Sequence, residues 1–159
     1  MIKIQIPATS ANLGAGFDAL GLALTYYNYI EMEECDKIDI TAADGLDIPT
    51  DERNLIYISA KDLFAVCGKK LEGLKLIQTS NIPMARGLGS SSACIIAGLV
   101  GANKMLGDPL TKDDLVDLAA QIEGHPDNTA PALLGGIVTA VFDLSLIHIS
   151  EPTRLALIS

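Results

Sequence analysis

The sequence has 159 residues, of which 49% are hydrophobic and 19% charged, and its formal net charge is -9 at pH 7. This composition excludes an intrinsically disordered chain and predicts one folded domain, while the acidic balance argues against nucleic acids and anionic membranes as partners. Three cysteines without metal-ligand spacing, and an N-terminus that alternates instead of forming an apolar signal segment, favour a cytoplasmic protein.

In chain order, the first part of the sequence predicts strands. Residues 2–6 alternate Ile with Lys and Gln, which indicates a half-buried strand that ends at Pro7. Residues 8–18 are rich in small residues and turn formers and predict a loop. Residues 22–32 are rich in Thr, Tyr and Ile and predict a long strand, with which the alternating run 37–41 is expected to pair.

The rest of the sequence mixes helices with strands. Five more elements are predicted, namely helices over 54–66, 94–106 and 111–123 and strands over 74–79 and 135–142. Thr111 with Asp114 three residues later has the spacing of a capping box, with Asp in place of the usual Glu or Gln. Strands and helices in mixed order predict an α+β fold rather than a regular alternation of parallel strands and helices.

The segment 83–93 carries the strongest chemical signal. Gly87 and Gly89 permit a turn that a side chain would block, and three serines then lead into a helix. A helix N-terminus presents unpaired N–H groups and attracts an anion, so the segment predicts a phosphate cradle. An ordinary strand-to-helix turn with serine N-caps is the alternative on composition alone. The segment lacks the Gly-Lys-Ser/Thr of a Walker A loop and a complete dinucleotide fingerprint.

Three segments together resemble the homoserine kinases of the GHMP kinase superfamily. Residues 82–93 are similar to the superfamily's ATP-binding motif, and residues 7–18 and 123–136 resemble two further motifs of homoserine kinases. The resemblance covers residues 2 to about 143. It implies an α+β fold of the ribosomal protein S5 domain 2-like type, with a left-handed βαβ crossover, which is exceptional among parallel crossovers.

The resemblance also implies an activity. These enzymes use ATP and Mg²⁺ to phosphorylate the side-chain hydroxyl of L-homoserine by direct in-line transfer, which supplies threonine biosynthesis. The alternatives are another GHMP small-molecule kinase of the mevalonate type and a non-catalytic ATP-binding paralogue. The full-length enzyme of this type could form a homodimer.

Site residues follow from the resemblance by position. Asn128 lies where relatives place a catalytic residue, Asn12 and Asp18 match substrate contacts, and Ser91 matches a magnesium ligand. Asp18 would pair with the homoserine ammonium, or else bond its own backbone. The residues expected to cradle the ATP phosphates are Pro83, Met84, Ala85, Arg86, Gly87, Leu88, Gly89, Ser90, Ser91, Ser92 and Ala93.

Three assignments within these segments stay open. The carboxylate that shares Mg²⁺ with Ser91 is either Asp117, by counting back from Asn128 without gaps, or Glu123, nearer the loop. These two are six residues apart on one helix, so they cannot both face one site squarely. His125 is expected to order its loop by hydrogen bonds rather than to shuttle protons. Arg86 could meet a phosphate or be solvated at the tip of the loop.

The end of the sequence does not continue the pattern. Residues 144–159 look like translated sequencing adapter, and the resemblance stops where this run starts. The expectation is therefore that residues 1–143 form the N-terminal ATP-binding domain, that the C-terminal domain is missing, and that this chain is a truncated, inactive fragment.

Overall fold

The computed structural model describes residues 1–43 and 45–140, apart from the side chains of residues 17 and 18. The predicted adapter-like tail, 144–159, lies outside the described residues, as does the end of the last predicted strand. The side chain of Asp18, the predicted partner of a substrate ammonium, is also outside them. Among the described residues no helix is both long and apolar enough to cross a membrane.

The described part of the chain is a five-stranded sheet with four helices. In chain order the elements are β1 (Ile2–Leu13), β2 (Gly16–Cys35), β3 (Ile38–Ala42), α1 (Leu55–Val66), β4 (Gly73–Thr79), α2 (Ser90–Met105), α3 (Lys112–Glu123), α4 (Thr129–Leu134) and β5 (Ile137–Thr139). The strand order is β1-β2-β4-β3, and β5 pairs with β2 beyond the end of β4. Only β3 and β4 run parallel among these strand pairs.

This architecture confirms the predicted α+β class. The parallel connection is β3–α1–β4, so α1 is the crossover helix of the βαβ unit. The left-handedness of this crossover stays a prediction from the resemblance. The capping box is present as predicted, with Thr111 and Asp114 each bonding the other's backbone N–H at the start of α3.

Three predicted elements are corrected by the structure. The segment 8–18 is mostly paired strand rather than loop, because Thr9, Ser10 and Ala11 lie opposite residues of β2 and only a two-residue turn separates β1 from β2. The run 37–41 pairs with β4 and not with β2, because α1 returns the chain to the position between them. The short helix α4 follows Asn128 where the sequence predicted none.

The helices α1 and α2 cover one face of the sheet. Side chains from alternate positions of β1, β2 and β4 point into this core, including Ile4, Ile30 and Leu76. Glycines let α2 approach closely: a Cβ on Gly98 would lie 2.4 Å from a backbone oxygen of α1, and one on Gly101 would lie 2.0 Å from a Met sulfur of β2. Close packing on two sides therefore fixes the position of α2, whose N-terminus carries the predicted phosphate segment.

Candidate active site

The start of α2 is built from left-handed backbone. Gly89 is the N-cap at φ 63°, Gly87 has φ 69°, and even Ala85 adopts φ 56°. No side chain caps the first turn, so its backbone N–H groups have no side-chain partner there. The N-cap is glycine and not serine, which removes the alternative of an ordinary serine-capped turn. The uncapped N-terminus of this 16-residue helix is suited to bind an anion.

The first and third predicted motifs meet at Gly89. A Cβ on this residue would lie 1.9 Å from Thr9 Oγ1 and 3.2 Å from Asn128 Oδ1, so only glycine fits. The backbone N–H of Thr9 also donates to the carbonyl of Leu88, at 3.1 Å. Residues from β1, the phosphate segment and the loop before α4 are therefore in contact around Gly89, although Thr9 and Asn128 are 119 positions apart in the sequence.

Asp127 is the buried centre of a hydrogen-bond network beside this point. Its side chain is 1% exposed, and His125 Nδ1 lies 2.5 Å from its Oδ1. Asn12 Nδ2 donates to Oδ2 of the same carboxylate at 3.4 Å, and Asn128 Nδ2 donates to Oδ1 at 3.4 Å. Asn12 has φ 59°, a conformation that Asn tolerates better than most residues. The predicted residues Asn12 and Asn128 are thus joined through a carboxylate that the sequence did not single out.

Thr9 and Asp127 are the two residues of the site that sequence reasoning missed. Both lie inside motifs that the sequence did identify, one three positions before Asn12 and the other next to Asn128. Both residues are buried, with 0% of Thr9 and 2% of Asp127 exposed when the backbone is counted with the side chain. A buried carboxylate is rare unless it is paired, so an Asp between His and Asn was the signal available in the sequence.

Ser91 and Glu123 lie at the rim of the helix start. Ser91 Oγ donates to Glu123 Oε2 at 3.4 Å. Burial raises the pKa of Glu123, while hydrogen bonds from Ser92 and Ser91 and the nearby His125 act in the opposite direction. Asp117 is six residues earlier on α3, about 600° of rotation away, so it faces a different direction from Glu123. The geometry therefore favours Glu123 as the carboxylate that accompanies Ser91.

The donor set at this rim fits a magnesium ion of the predicted kind. Mg²⁺ prefers oxygen ligands and usually keeps several waters, so it needs few protein groups. One hydroxyl and one half-buried carboxylate within 3.4 Å of each other meet that need. Among the described residues there is no cluster of three or more His, Cys, Asp or Glu side chains, the pattern of a fully protein-ligated metal.

A cavity of about 290 Å³ opens beside the phosphate segment. Its walls combine apolar side chains with the first two serines of α2, and its lining residues are Ile48, Pro49, Arg53, Asn54, Leu55, Gln78, Met84, Ala85, Ser90, Ser91 and Cys94. Burial, with a contribution from Glu123, raises the pKa of the Cys94 thiol to about 11, so this thiol is uncharged at neutral pH. A larger groove of about 480 Å³ lies between β1, β2 and α4 and is lined by no residue of the phosphate segment.

The remaining predicted residues are placed less centrally. Arg86 is exposed at the tip of the phosphate segment, as are Pro83 and Met84, whereas Ser92 and Ala93 are buried in the first turn of α2. The backbone of Asp18 belongs to β2, and its side chain lies outside the described residues.

Comparison with known proteins places this arrangement in a family. The GHMP kinases N terminal domain matches residues 54–136. A homoserine kinase of Carboxydothermus hydrogenoformans is 51% identical over 146 residues, which are 90% of this chain and 48% of that protein. A crystal structure of homoserine kinase from Cytophaga hutchinsonii is 33% identical with a TM-score of 0.77, and the match covers 87% of this chain and 48% of that one.

More distant structures share the fold alone. The mevalonate kinase of Methanococcus jannaschii is 19% identical with a TM-score of 0.69, over 87% of this chain and 52% of that one. The chain spans about half the length of the curated relatives it matches. Since the matched domain covers more than half of the chain and the fold agrees, the chain belongs to the GHMP kinase family, of which it carries the N-terminal domain.

Proposed function

We propose that this chain is the nucleotide-binding part of a homoserine kinase, which transfers the γ-phosphoryl group of ATP to the side-chain hydroxyl of L-homoserine. The observation that carries the proposal is that residues of all three motifs meet at Gly89, where the uncapped start of α2 lies against Thr9 and Asn128. The Ser91–Glu123 pair lies at the rim of the same helix start. The names of the curated relatives support the acceptor, since those that match at 44–51% identity are homoserine kinases. The product, O-phosphohomoserine, would supply threonine biosynthesis.

The phosphates of ATP would lie against the first turn of α2. The free N–H groups there and the positive end of the helix dipole favour negative charge. The adjacent cavity, whose walls combine apolar and polar side chains, would receive the adenine or ribose. Arg86, exposed at the tip of the segment, would reach a phosphate oxygen from solvent.

Ser91 and Glu123 would hold Mg²⁺ through their side-chain oxygens. The ion neutralises charge on the phosphates when it is bound. Glu123 must be ionised to act as a ligand, and burial raises its pKa, so binding would weaken as the pH falls. Asp117 is the alternative carboxylate on the same helix.

Asn12, Asn128 and Asp18 would hold the acceptor. A carboxylate at position 18 suits the ammonium group of homoserine, and Asn128 is placed beside the phosphate segment. A primary amide cannot accept a proton as a general base, so the role of Asn128 is to position oxygens. Catalysis would then rest on positioning and on charge neutralisation, as is general in phosphoryl transfer.

An ADP-release assay with a panel of acceptors tests this proposal. We expect the complete gene product to release ADP with L-homoserine and Mg²⁺, and the 159-residue chain to show no turnover. Phosphorylation of mevalonate but not of homoserine would replace homoserine kinase by a mevalonate-type enzyme. Nucleotide binding without turnover by the complete product would indicate a non-catalytic paralogue.

A further inference from the structure

Thr9 occupies a fixed place between two functional segments. It is 0% exposed, and its backbone N–H donates to the carbonyl of Leu88 in the phosphate segment. Its side-chain hydroxyl lies 2.8 Å from Asn128 Oδ1. The backbone of Gly89 closes on the same hydroxyl so tightly that a Cβ there would lie 1.9 Å from it. A residue that only filled space would not need a hydroxyl at this point.

The neighbours of Asn128 determine which way its amide faces. One end of the amide lies 3.4 Å from Asp127 Oδ1, and the other end lies 2.8 Å from the Thr9 hydroxyl. Asp127 Oδ1 accepts a hydrogen bond from the amide, so the end that faces Asp127 is the NH₂ group. The end that faces Thr9 is then the carbonyl oxygen, and the Thr9 hydroxyl must donate. The reverse orientation would place two acceptors against each other at Asp127.

We propose that Thr9 is a positioning residue, whose hydroxyl fixes the amide of Asn128 so that Nδ2 is offered as a hydrogen-bond donor beside the phosphate segment. A primary amide has two N–H bonds; Asp127 accepts one, and the other is left for an oxygen of the acceptor or of the transferred phosphoryl group. The identity of that oxygen rests on the proposed function, whereas the orientation of the amide does not.

Valine and serine at position 9 separate the effect of the hydroxyl group of Thr9 from the effect of its shape. Valine has nearly the shape of threonine and would fill the same buried space, so water would not replace the missing donor. Asn128 Oδ1 would then lack its partner and the amide would be free to rotate. Serine keeps the donor and lacks only the methyl group. Thr9→Val should therefore disturb Asn128, and Thr9→Ser should not.

Nuclear magnetic resonance of the ¹⁵N-labelled 159-residue chain tests this directly. The side-chain NH₂ signals of Asn128, assigned by their loss in Asn128→Ser, should move in Thr9→Val and keep their wild-type positions in Thr9→Ser. The backbone N–H of position 9 should stay bonded to Leu88 in both variants. Unmoved Asn128 signals in Thr9→Val, or equal movement in both variants, would overturn the proposal. Thr9→Ala, which also removes the donor, serves as the test if the valine variant does not fold.

A kinetic measurement on the complete gene product adds a second readout. Thr9→Val should lower kcat by about 10- to 100-fold, the scale of a misplaced catalytic group, while the KM for ATP stays within about twofold and Thr9→Ser restores kcat. A rise in the KM for ATP with kcat unchanged would contradict a role through Asn128. If no acceptor is phosphorylated, the proposed function fails, but the resonance experiment still decides the orientation of the amide.

Discussion

Replacing Gly89 by alanine tests whether the phosphate segment needs glycine for its backbone conformation or for space. The substitution places a Cβ 1.9 Å from Thr9 Oγ1 in a residue at φ 63°. Gly87→Ala is a matched control, because Gly87 has a similar φ of 69° but a Cβ there would meet nothing within 4 Å. Both variants carry the cost of a left-handed alanine, and only Gly89→Ala carries a steric conflict.

The two contributions can be estimated separately. A left-handed conformation costs an L-residue about 1–2 kcal/mol, of which the stiffer unfolded chain of alanine offsets about 0.4–1 kcal/mol. Gly87→Ala should therefore lower the free energy of unfolding by about 1 kcal/mol. Overpacking adds about 1–3 kcal/mol, so Gly89→Ala should lower it by about 3 kcal/mol.

Urea unfolding followed by circular dichroism measures this difference. With a urea m-value of about 2 kcal/mol/M, the extra 2 kcal/mol in Gly89→Ala corresponds to a midpoint about 1 M below that of Gly87→Ala. Titration with ADP in the presence of Mg²⁺ should show weaker binding for Gly89→Ala as well, since the first turn of α2 must move away from Thr9. Equal midpoints for the two variants would refute the reasoning, because the steric conflict would then have no cost.

Four further predictions follow from single residues. Burial raises the pKa of Glu123, so the folded state holds this proton more tightly than the unfolded state, and the group's contribution to stability is lost as the pH rises through its folded pKa. In thermal unfolding without Mg²⁺, the stability of Glu123→Gln relative to the wild type should therefore increase between pH 4 and pH 7. Parallel stability profiles for the two proteins would contradict this. Glu123→Gln should also weaken Mg²⁺-dependent nucleotide binding more than Asp117→Asn does, as calorimetric titration can measure, and the opposite ranking would favour Asp117. Asn54 caps α1 and also donates to a backbone carbonyl. Asn54→Ala should therefore lower the free energy of unfolding, measured in urea, by about 1–2 kcal/mol. A decrease below about 0.5 kcal/mol would show that the cap is dispensable. The Cys94 thiol, with a pKa of about 11, should react with iodoacetamide at pH 8 much more slowly than Cys35, as mass spectrometry of the labelled peptides can show. Equal rates would contradict the raised pKa of Cys94.

Elements with a local signal were predictable, and elements defined by pairing were not. The capping box of Thr111 and the helical spacing after Asn54 act within a few residues, so the sequence predicted α3 and α1 closely. The segment 8–18 has the small residues of a loop, but its pairing with β2 depends on register across the sheet, which no local pattern encodes. The parallel pairing of β3 with β4 likewise depends on the crossover through α1.

The same distinction holds for the candidate site. The glycines and serines that open α2 were predictable, because a tight turn and an open helix start require those residue types in sequence. The contact of Thr9 with Asn128 joins positions 119 apart, so its role is defined only when β1 and the loop before α4 come together. The choice between Asp117 and Glu123 depended on an uncertain count along the chain, and the hydrogen bond from Ser91 now favours Glu123.

The hydrogen bond from the Thr9 backbone N–H to the Leu88 carbonyl joins strand β1 to the phosphate segment. Leu88 belongs to the segment expected to bind nucleotide, and Thr9 is three residues before Asn12, which is proposed to contact the acceptor. A shift of Leu88 on nucleotide binding would therefore act on β1 through a bond between two backbone groups, which a change of side chain alone leaves in place. Coupling between two sites is reciprocal: if bound nucleotide changed the affinity for the acceptor by some factor, bound acceptor would change the affinity for nucleotide by the same factor. Proline at position 9, which has no N–H, would remove this link between β1 and the phosphate segment.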